Sequence, residues 1–174
     1  MITPDTKNWT WVVERECPVC GFDASTCAAD SVTALVRAKA LDWKRFEASG
    51  VLRLGRPDDS TWSPLEYACH VRDVYVRYDE RLALMLEQLD PLFANWDQDV
   101  SAIDDAYEAQ DAAVVVAALA EAAEALAARL DRVTGSDWER TGRRSDGASF
   151  TVDTLSRYMV HDTIHHVGDV NRTR

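Results

Sequence analysis

Four long stretches of helical periodicity constrain the fold of this chain more than any other feature of its sequence. Apolar residues recur in them at three- and four-residue steps, which places these residues along one face of each helix. The predicted helices run from about residue 24 to 48, 64 to 89, 111 to 133 and 152 to 172. Alternation typical of strands is almost absent. We therefore predict an all-α fold, a four-helix bundle whose apolar faces share one core.

Helix-start signals mark two of these predicted helices. In "WSPLE", Ser63 is suited to the N-cap, Pro64 to the first helical position and Glu66 to the third, a capping box. Thr151 is placed to cap the last helix. The connection between the second and third helices is about twenty residues long, which exceeds a simple turn. The segment "GSDWERTGRRSDGASFT", before the last helix, is compatible with a small hairpin or an irregular loop.

The sequence divides into an N-terminal extension and the bundle. Residues 1–24 carry a CxxC motif, and residues 25–174 form the predicted helical domain. The formal net charge of −11 opposes binding to nucleic acid and to anionic membranes, because both need clustered Lys and Arg. No apolar run approaches the roughly 20 residues of a membrane span, and the N-terminus does not resemble a secretory signal. We expect a cytoplasmic protein with mostly reduced cysteines.

All four histidines lie in two short segments, which suggests a shared task. His70 is in the second predicted helix, and the other three are in "HDTIHH" of the fourth. His161 and His165 are four residues apart and share one helical face. Neutral imidazoles suit Zn²⁺, Ni²⁺, Cu²⁺ or Fe²⁺, and three protein ligands leave a position open for catalysis. We predict a divalent metal, zinc or nickel, on His70, His161 and His165.

A second helical register competes for the same role. Asp162 and His166 are also four residues apart, on a face rotated by about 100°. Two imidazoles and a carboxylate are equally good ligands, so both registers stay open. Asp73 and Asp169 each lie one turn beyond a candidate ligand, where they would either hold a ring nitrogen or remain solvated. His70 and the pair His161 and His165 lie at similar distances from the starts of their helices, so they are level with each other if the second and fourth helices run parallel. In an antiparallel pair, one helix would have to be shifted along the other to bring them level.

The cysteines have several interpretations. Cys17 and Cys20, in "CPVCG", look like one knuckle of a zinc ribbon, but a second CxxC or CxxH is missing. Cys27 lies near the start of the first helix. Structural thiols, a redox or disulfide pair, and a metal site with a borrowed ligand all remain open for this stretch. Cys69 adjoins His70 but projects about 100° away from it.

These motifs resemble those of the DinB-like superfamily of four-helix-bundle metalloproteins, which includes the mycothiol-dependent maleylpyruvate isomerases. Three elements carry the resemblance: "WSPLEYACHVRD", with its histidine eight residues after the tryptophan; the late "HDTIHHVGDV" helix; and its "TV" start after a glycine-containing loop. The resemblance covers roughly residues 25 to 172. It implies three ligands, one on the second helix and two on the last, which fall on His70, His161 and His165. The family tolerates a carboxylate in place of one histidine.

The resemblance also implies a class of chemistry. Characterised members use low-molecular-weight thiols such as mycothiol or bacillithiol. A metal deprotonates a bound thiol and so creates the nucleophile, and it acts on water in the same way. We expect a metal-dependent enzyme that activates a thiol or water for transfer to, or isomerisation of, a small molecule. The alternative is a non-catalytic module that binds a structural metal or forms a homodimer through a bundle face.

Overall fold

The predicted helical bundle is confirmed by a computed structural model, which describes residues 8–173. Residues 1–7 and 174, the outer ends of the predicted extension and domain, lie outside the described residues. The four long helices are α1 (Ser31–Ala48), α2 (Pro64–Glu87), α4 (Ala112–Leu130) and α5 (Val152–Arg172). A short helix, α3 (Gln98–Asp104), lies within the long connection between α2 and α4.

The helices form a closed ring in which consecutive long helices are not always neighbours. Both α1 and α2 pack against α4 and α5, so α1 and α2 lie diagonally across the bundle. Helices α2 and α5 run antiparallel, because Tyr67 contacts His166 near one end and Tyr78 contacts Tyr158 near the other. The two helices overlap along most of their length. An antiparallel pair therefore brings His70 level with the middle of α5.

The core is filled by large side chains from all four long helices. Helices α2 and α4 are also joined by an ion pair between Arg129 and Asp79, at 2.6 Å. The largest fully buried side chains of the helices include Trp43, Tyr75, Leu82, Met85, Leu119, Leu126, Leu155 and Met159. Burial of this apolar surface is the main force that holds the helices together. It also provides a rigid frame for the side chains of α2 and α5.

Local sequence signals determine where the helices begin. The capping box of α2 is present: the Glu66 amide donates to Ser63 Oγ at 3.3 Å, and the Ser63 amide donates to Glu66 Oε2 at 2.8 Å. Thr151 caps α5 in the same manner with Thr154. Helix α1 begins at Ser31, later than predicted, because Asp23 accepts hydrogen bonds from the backbone and hydroxyl of Ser25 and favours turns instead.

A small sheet closes the end of the bundle near the C-terminus of α2. Strands β2 (Thr141–Arg144) and β3 (Ser149–Thr151) form an antiparallel hairpin, and β1 (Leu92–Phe93) pairs with β2 in parallel. A Cβ atom at Gly142 would lie 2.7 Å from Cγ of Met85, so this glycine permits the close approach of the hairpin to α2. Of the two sequence alternatives for this segment, the hairpin is the one observed.

The N-terminal segment packs against α5. It contains a 3₁₀ turn at Thr10–Val13 that contacts α5, and the side chains of Val12, Cys17 and Ala24 are fully buried. Arg157 of α5 donates to the carbonyl of Ala24 at 3.1 Å. Residues 8–24 thus form a strap across one face of α5. None of the helices in residues 8–173 has the length and apolar character needed to cross a lipid bilayer.

Candidate metal centres

The candidate ligands fall into two separate clusters. His70 lies with Asp162 and His166, and we call this group the three-residue cluster. In the second group, the Cys–His cluster, His161 and His165 lie with Cys17 and Cys20 of the N-terminal segment. Within each cluster, one ligand atom from every member lies within 4.8 Å of the others. The structure therefore does not bring His70 together with His161 and His165 as one group. It places His70 beside Asp162 and His166, the alternative pair on the last helix.

The geometry of α5 explains this division. Successive residues on a helix point about 100° apart, so positions 161 and 165 face one direction and positions 162 and 166 face another. The face with Asp162 and His166 looks toward α2, which supplies His70. The neighbouring face meets the N-terminal segment, which supplies the two cysteines. The two registers that competed in the sequence are both used, each in a different cluster.

The three-residue cluster has the spacing of a metal site. His70 Nε2 lies 3.2 Å from Asp162 Oδ1, and His166 Nε2 lies 3.6 Å from the same oxygen. Nitrogen and oxygen atoms at about 2.0–2.2 Å from one zinc ion are about 3.3–3.6 Å apart at tetrahedral angles. The side chains present therefore fit a divalent ion without a change of backbone. Three protein ligands would leave room for a further ligand.

Charge and access in this cluster suit a reactive centre. Burial would raise the pKa of Asp162, but the adjacent His70 and His166 lower it well below its ordinary value, so the carboxyl group is ionised. The His70 side chain is only 1% exposed, whereas Asp162 is 28% exposed and His166 is 17% exposed. Small molecules can therefore approach from the α5 side of the cluster, while the α2 side is closed by the protein.

Asp169 orients one of these ligands. Its Oδ2 lies 2.8 Å from Nδ1 of His166, and its other oxygen accepts from Arg172 at 2.5 Å. A carboxylate that holds the second ring nitrogen of a ligand histidine fixes the ring and its tautomer, which leaves Nε2 for an ion. Asp73, the other candidate for such a role, instead accepts hydrogen bonds from Tyr107 and Arg72.

Aromatic side chains enclose the three-residue cluster. The Trp96 ring is parallel to the His70 ring at 5.4 Å between centroids, and the Trp62 ring lies 5.3 Å from it. Tyr67 lies 5.0 Å from His166, and Trp96 is held by a 2.7 Å hydrogen bond from Nε1 to Ser101. Sequence reasoning did not assign Trp96 to the site, because it lies in the long connection and nothing local relates it to α2.

The Cys–His cluster is more deeply enclosed. Cys17 is fully buried, and its Sγ lies 3.7 Å from Nδ1 of His165. His161 is 4% exposed, and its Nε2 has no hydrogen-bond partner among the described residues. The HxxxH pair of α5 therefore lies beside the CxxC motif, where a second pair of candidate ligands would have to be. The spacing within each pair, CxxC and HxxxH, is that of Cys₂His₂ zinc sites, but the two pairs lie at opposite ends of the sequence, so no local pattern joins them.

Comparisons with known proteins agree with the architecture. A structure of YfiT from Bacillus subtilis, a probable metal-dependent hydrolase with an unusual four-helix bundle topology, is similar to this fold with a TM-score of 0.71. The similarity covers 83% of this chain and 86% of that chain at 18% sequence identity. A search of the curated proteins finds no match.

A family model establishes the relationship. The model of the DinB superfamily matches residues 32–170, a range that includes every member of the three-residue cluster and both histidines of the Cys–His cluster. Cys17 and Cys20 precede the matched range. The match confirms the resemblance seen in the helix-start and histidine motifs. The chain belongs to the DinB superfamily.

Proposed function

We propose that this protein is a divalent-metal-dependent enzyme that acts on a small molecule through the three-residue cluster. The observation that carries the proposal is the convergence of two imidazole nitrogens, from His70 and His166, on one carboxylate oxygen of Asp162. Their separations match those of ligands around a single ion. The proposed ligands differ from the set predicted first, since Asp162 and His166 take the places of His161 and His165.

The donor set indicates the type of ion and its reactivity. Two imidazoles and one carboxylate suit zinc or nickel, and Asp162 is the single anionic ligand, so a bound divalent ion keeps a net positive charge. When bound, such an ion favours the deprotonated form of a thiol or a water molecule and thereby provides a nucleophile near neutral pH. The proposed reaction is attack of that nucleophile on an electrophilic small molecule.

The surrounding residues have defined tasks in this proposal. Asp169 holds the His166 ring so that Nε2 faces the cluster. Trp62 and Trp96 pack on the His70 ring and exclude water from the α2 side. The exposed edge of Asp162 marks the side from which substrate enters. YfiT, named as a probable metal-dependent hydrolase, favours water as the nucleophile, and the thiol-dependent members of the superfamily favour a thiol such as mycothiol.

Metal analysis of untagged protein tests the proposal. We expect apo protein to take up zinc or nickel at a site that His70→Ala and Asp162→Asn each remove. Asp73→Asn is the matched control, since Asp73 is on α2 but lies outside the cluster. Metal uptake that is unchanged in both cluster variants would refute the proposed ligand set.

Activity assays distinguish the two nucleophiles. The metal-loaded protein is incubated with a panel of electrophiles with and without a low-molecular-weight thiol, and with a panel of esters and amides. Metal-dependent consumption of thiol supports transfer or isomerisation, and metal-dependent hydrolysis without thiol supports activated water. Metal binding without turnover in any panel would favour the non-catalytic module over the enzyme.

A further inference from the structure

We propose that Cys17, Cys20, His161 and His165 form a second metal site, a closed zinc site that fastens the N-terminal segment to α5. Its ligands come from two regions separated by almost the whole chain. The site shares no ligand with the three-residue cluster. Its role would be structural, because four protein ligands complete the tetrahedral coordination of zinc and leave no position for substrate.

The distances within the cluster are close to those between the ligands of one zinc ion. Zn–S bonds of about 2.3 Å and Zn–N bonds of about 2.0–2.1 Å place sulfur and nitrogen ligands about 3.5–3.6 Å apart. Cys17 Sγ and His165 Nδ1 are 3.7 Å apart, and all four ligand atoms lie within 4.8 Å of one another. Small side-chain adjustments are enough to reach coordination distance.

The backbone of "CPVCG" presents both sulfurs to the same point. The Gly21 amide donates to the Cys17 carbonyl at 2.8 Å, and the Cys17 amide donates to the Phe22 carbonyl at 3.0 Å, which closes a tight turn. Gly21 has a φ of +72°, in the left-handed region that favours glycine. This turn brings the sulfur atoms of Cys17 and Cys20 within 4.8 Å of each other. The backbone turn by itself therefore brings the two sulfur atoms together.

His161 supplies the observation that points most directly to a missing ligand. His161 is only 4% exposed, and its Nε2 has no hydrogen-bond partner in the described part of the chain. A neutral imidazole offers a lone pair at such a nitrogen. A buried nitrogen without a partner is unfavourable, and a zinc ion between His161 and the cysteines would satisfy it.

His165 is oriented in the way that histidine ligands usually are. Its Nδ1 faces Cys17, and its Nε2 lies 3.8 Å from Asp169 Oδ2. A carboxylate near the far nitrogen of a ligand histidine is common around protein-bound metal ions. The same Asp169 oxygen binds His166 of the other cluster. Asp169 therefore lies between the two clusters, at hydrogen-bond distance from His166 and 3.8 Å from His165.

The aromatic side chains that pack over the Cys–His cluster favour a structural role for the site. The Trp9 ring lies 5.9 Å from the His161 ring and 5.3 Å from the His165 ring, and Trp11 stacks on Trp9 at 5.8 Å. With Cys17 fully buried, the aromatic pair leaves little access for a substrate. Two thiolates also neutralise a divalent zinc ion, which suits a buried position. The site would hold residues 9–20 against the face of α5 next to Asp162 and His166.

Zinc stoichiometry and cobalt spectroscopy test the site in the full-length chain. We expect reduced wild-type protein to bind two ions per chain, and its cobalt-substituted form to show thiolate-to-cobalt charge-transfer absorption with the strong visible bands of a tetrahedral site. Cys20→Ser should lose the charge-transfer absorption and one ion. Cys27→Ser, a half-buried cysteine outside the cluster, should behave as wild type.

His70→Ala separates this inference from the proposed function. That variant should lose one ion and keep the charge-transfer absorption, because His70 is not part of the Cys–His cluster. X-ray absorption of the zinc form of His70→Ala should show two sulfur and two nitrogen neighbours, and this result needs no cysteine variant to fold. Treatment of this variant with a thiol-modifying reagent should release that one remaining zinc ion.

Any of three results would overturn the inference. One is reduced wild-type protein that shows no thiolate-to-cobalt absorption and no sulfur neighbours around zinc. Another is charge-transfer absorption that Cys20→Ser leaves unchanged while the variant retains its helical circular dichroism. A Cys17–Cys20 disulfide that persists in the protein after incubation with cellular levels of glutathione and zinc would likewise assign the motif to redox chemistry.

Discussion

The two clusters on α5 are built from adjacent residues and yet have opposite characters. The three-residue cluster combines two imidazoles with a carboxylate, and part of it is open to solvent. The Cys–His cluster combines two imidazoles with two thiols and is covered by Trp9. A shift of one position along the helix changes the partner element, and the partner decides the remaining donors. The same histidine-rich segment can therefore serve an open centre and a closed one.

The elements that meet α5 differ in stability as well as chemistry. His70 belongs to α2, which is held by a capping box and by the core of the bundle. Cys17 and Cys20 belong to a segment of turns with few apolar anchors of its own. A site between two packed helices is rigid without an ion. A site that joins a segment of turns to a helix gains more from the ion, because the ion adds a link between elements that share little packed surface.

The largest expected effect comes from neighbouring histidines that the structure assigns to different clusters. We expect His166→Ala to lower the affinity of the three-residue cluster for zinc by more than about 100-fold, because even loss of a residue that only holds a ligand in place costs about 10–100-fold. His165→Ala, the matched control, should leave that affinity within a few-fold and weaken the Cys–His cluster instead. Competition with a coloured chelator measures both affinities. If both variants lost the same amount of zinc affinity at the same cluster, the assignment of His165 and His166 to different clusters would be wrong.

Removal of zinc from the Cys–His cluster should lower thermal stability. In a His70→Ala background only this cluster binds zinc, and occupancy at a free zinc concentration of about 100 times Kd stabilises the fold by about 2.7 kcal/mol. For a chain of this length we expect chelation to lower Tm by about 5–11 °C. Differential scanning calorimetry with and without chelator checks this value. An unchanged Tm despite proven zinc release would show that zinc at this cluster does not stabilise the fold.

Asp169→Asn should weaken the three-residue cluster more than the Cys–His cluster. Asp169 is 2.8 Å from His166 Nδ1 but 3.8 Å from His165 Nε2, so it orients His166 more strongly. We expect a loss of roughly 10–100-fold in zinc affinity at the three-residue cluster. The Cys–His cluster of the same variant serves as the internal control. A larger loss at the Cys–His cluster would reverse the assignment of Asp169 to His166.

The smallest expected effect concerns the start of α2, outside both clusters. Burial would raise the pKa of Glu66, but hydrogen bonds from Arg56 and Ser63 outweigh it and lower that pKa below its ordinary value. The carboxylate therefore stabilises the fold above its unfolded pKa of about 4.3, and this contribution disappears as the pH falls through the lower folded pKa.

Glu66→Gln tests this contribution. At neutral pH we expect the free energy of unfolding to fall by roughly 1–3 kcal/mol, with a smaller difference from wild type below about pH 4. Urea unfolding at several pH values measures the difference. Zinc binding at both clusters should remain unchanged at neutral pH, which makes this variant a control for loss of fold. A difference that grows in acid would contradict the lowered pKa.

Local residue patterns predicted much of the fold because they act over short distances. The capping box of Ser63 and Glu66, the cap at Thr151 and the apolar stripes of the four long helices all depend on neighbours a turn away. The start of α1 was predicted too early, since Asp23 and Ser25 form turns that compete with the helix. The small parallel pairing of β1 with β2 joins residues about fifty positions apart, and no local pattern indicates it.

The sequence by itself determined the helical bundle, the DinB-like motifs and the two sets of residues four apart in "HDTIHH". Helical periodicity sets which of these side chains share a face, but it does not reveal what that face meets. The antiparallel packing of α2 on α5 decided that His70 joins Asp162 and His166. The path of the N-terminal segment decided that Cys17 and Cys20 join His161 and His165. Both decisions depend on long-range packing of buried surface, which the order of residues along one helix does not contain.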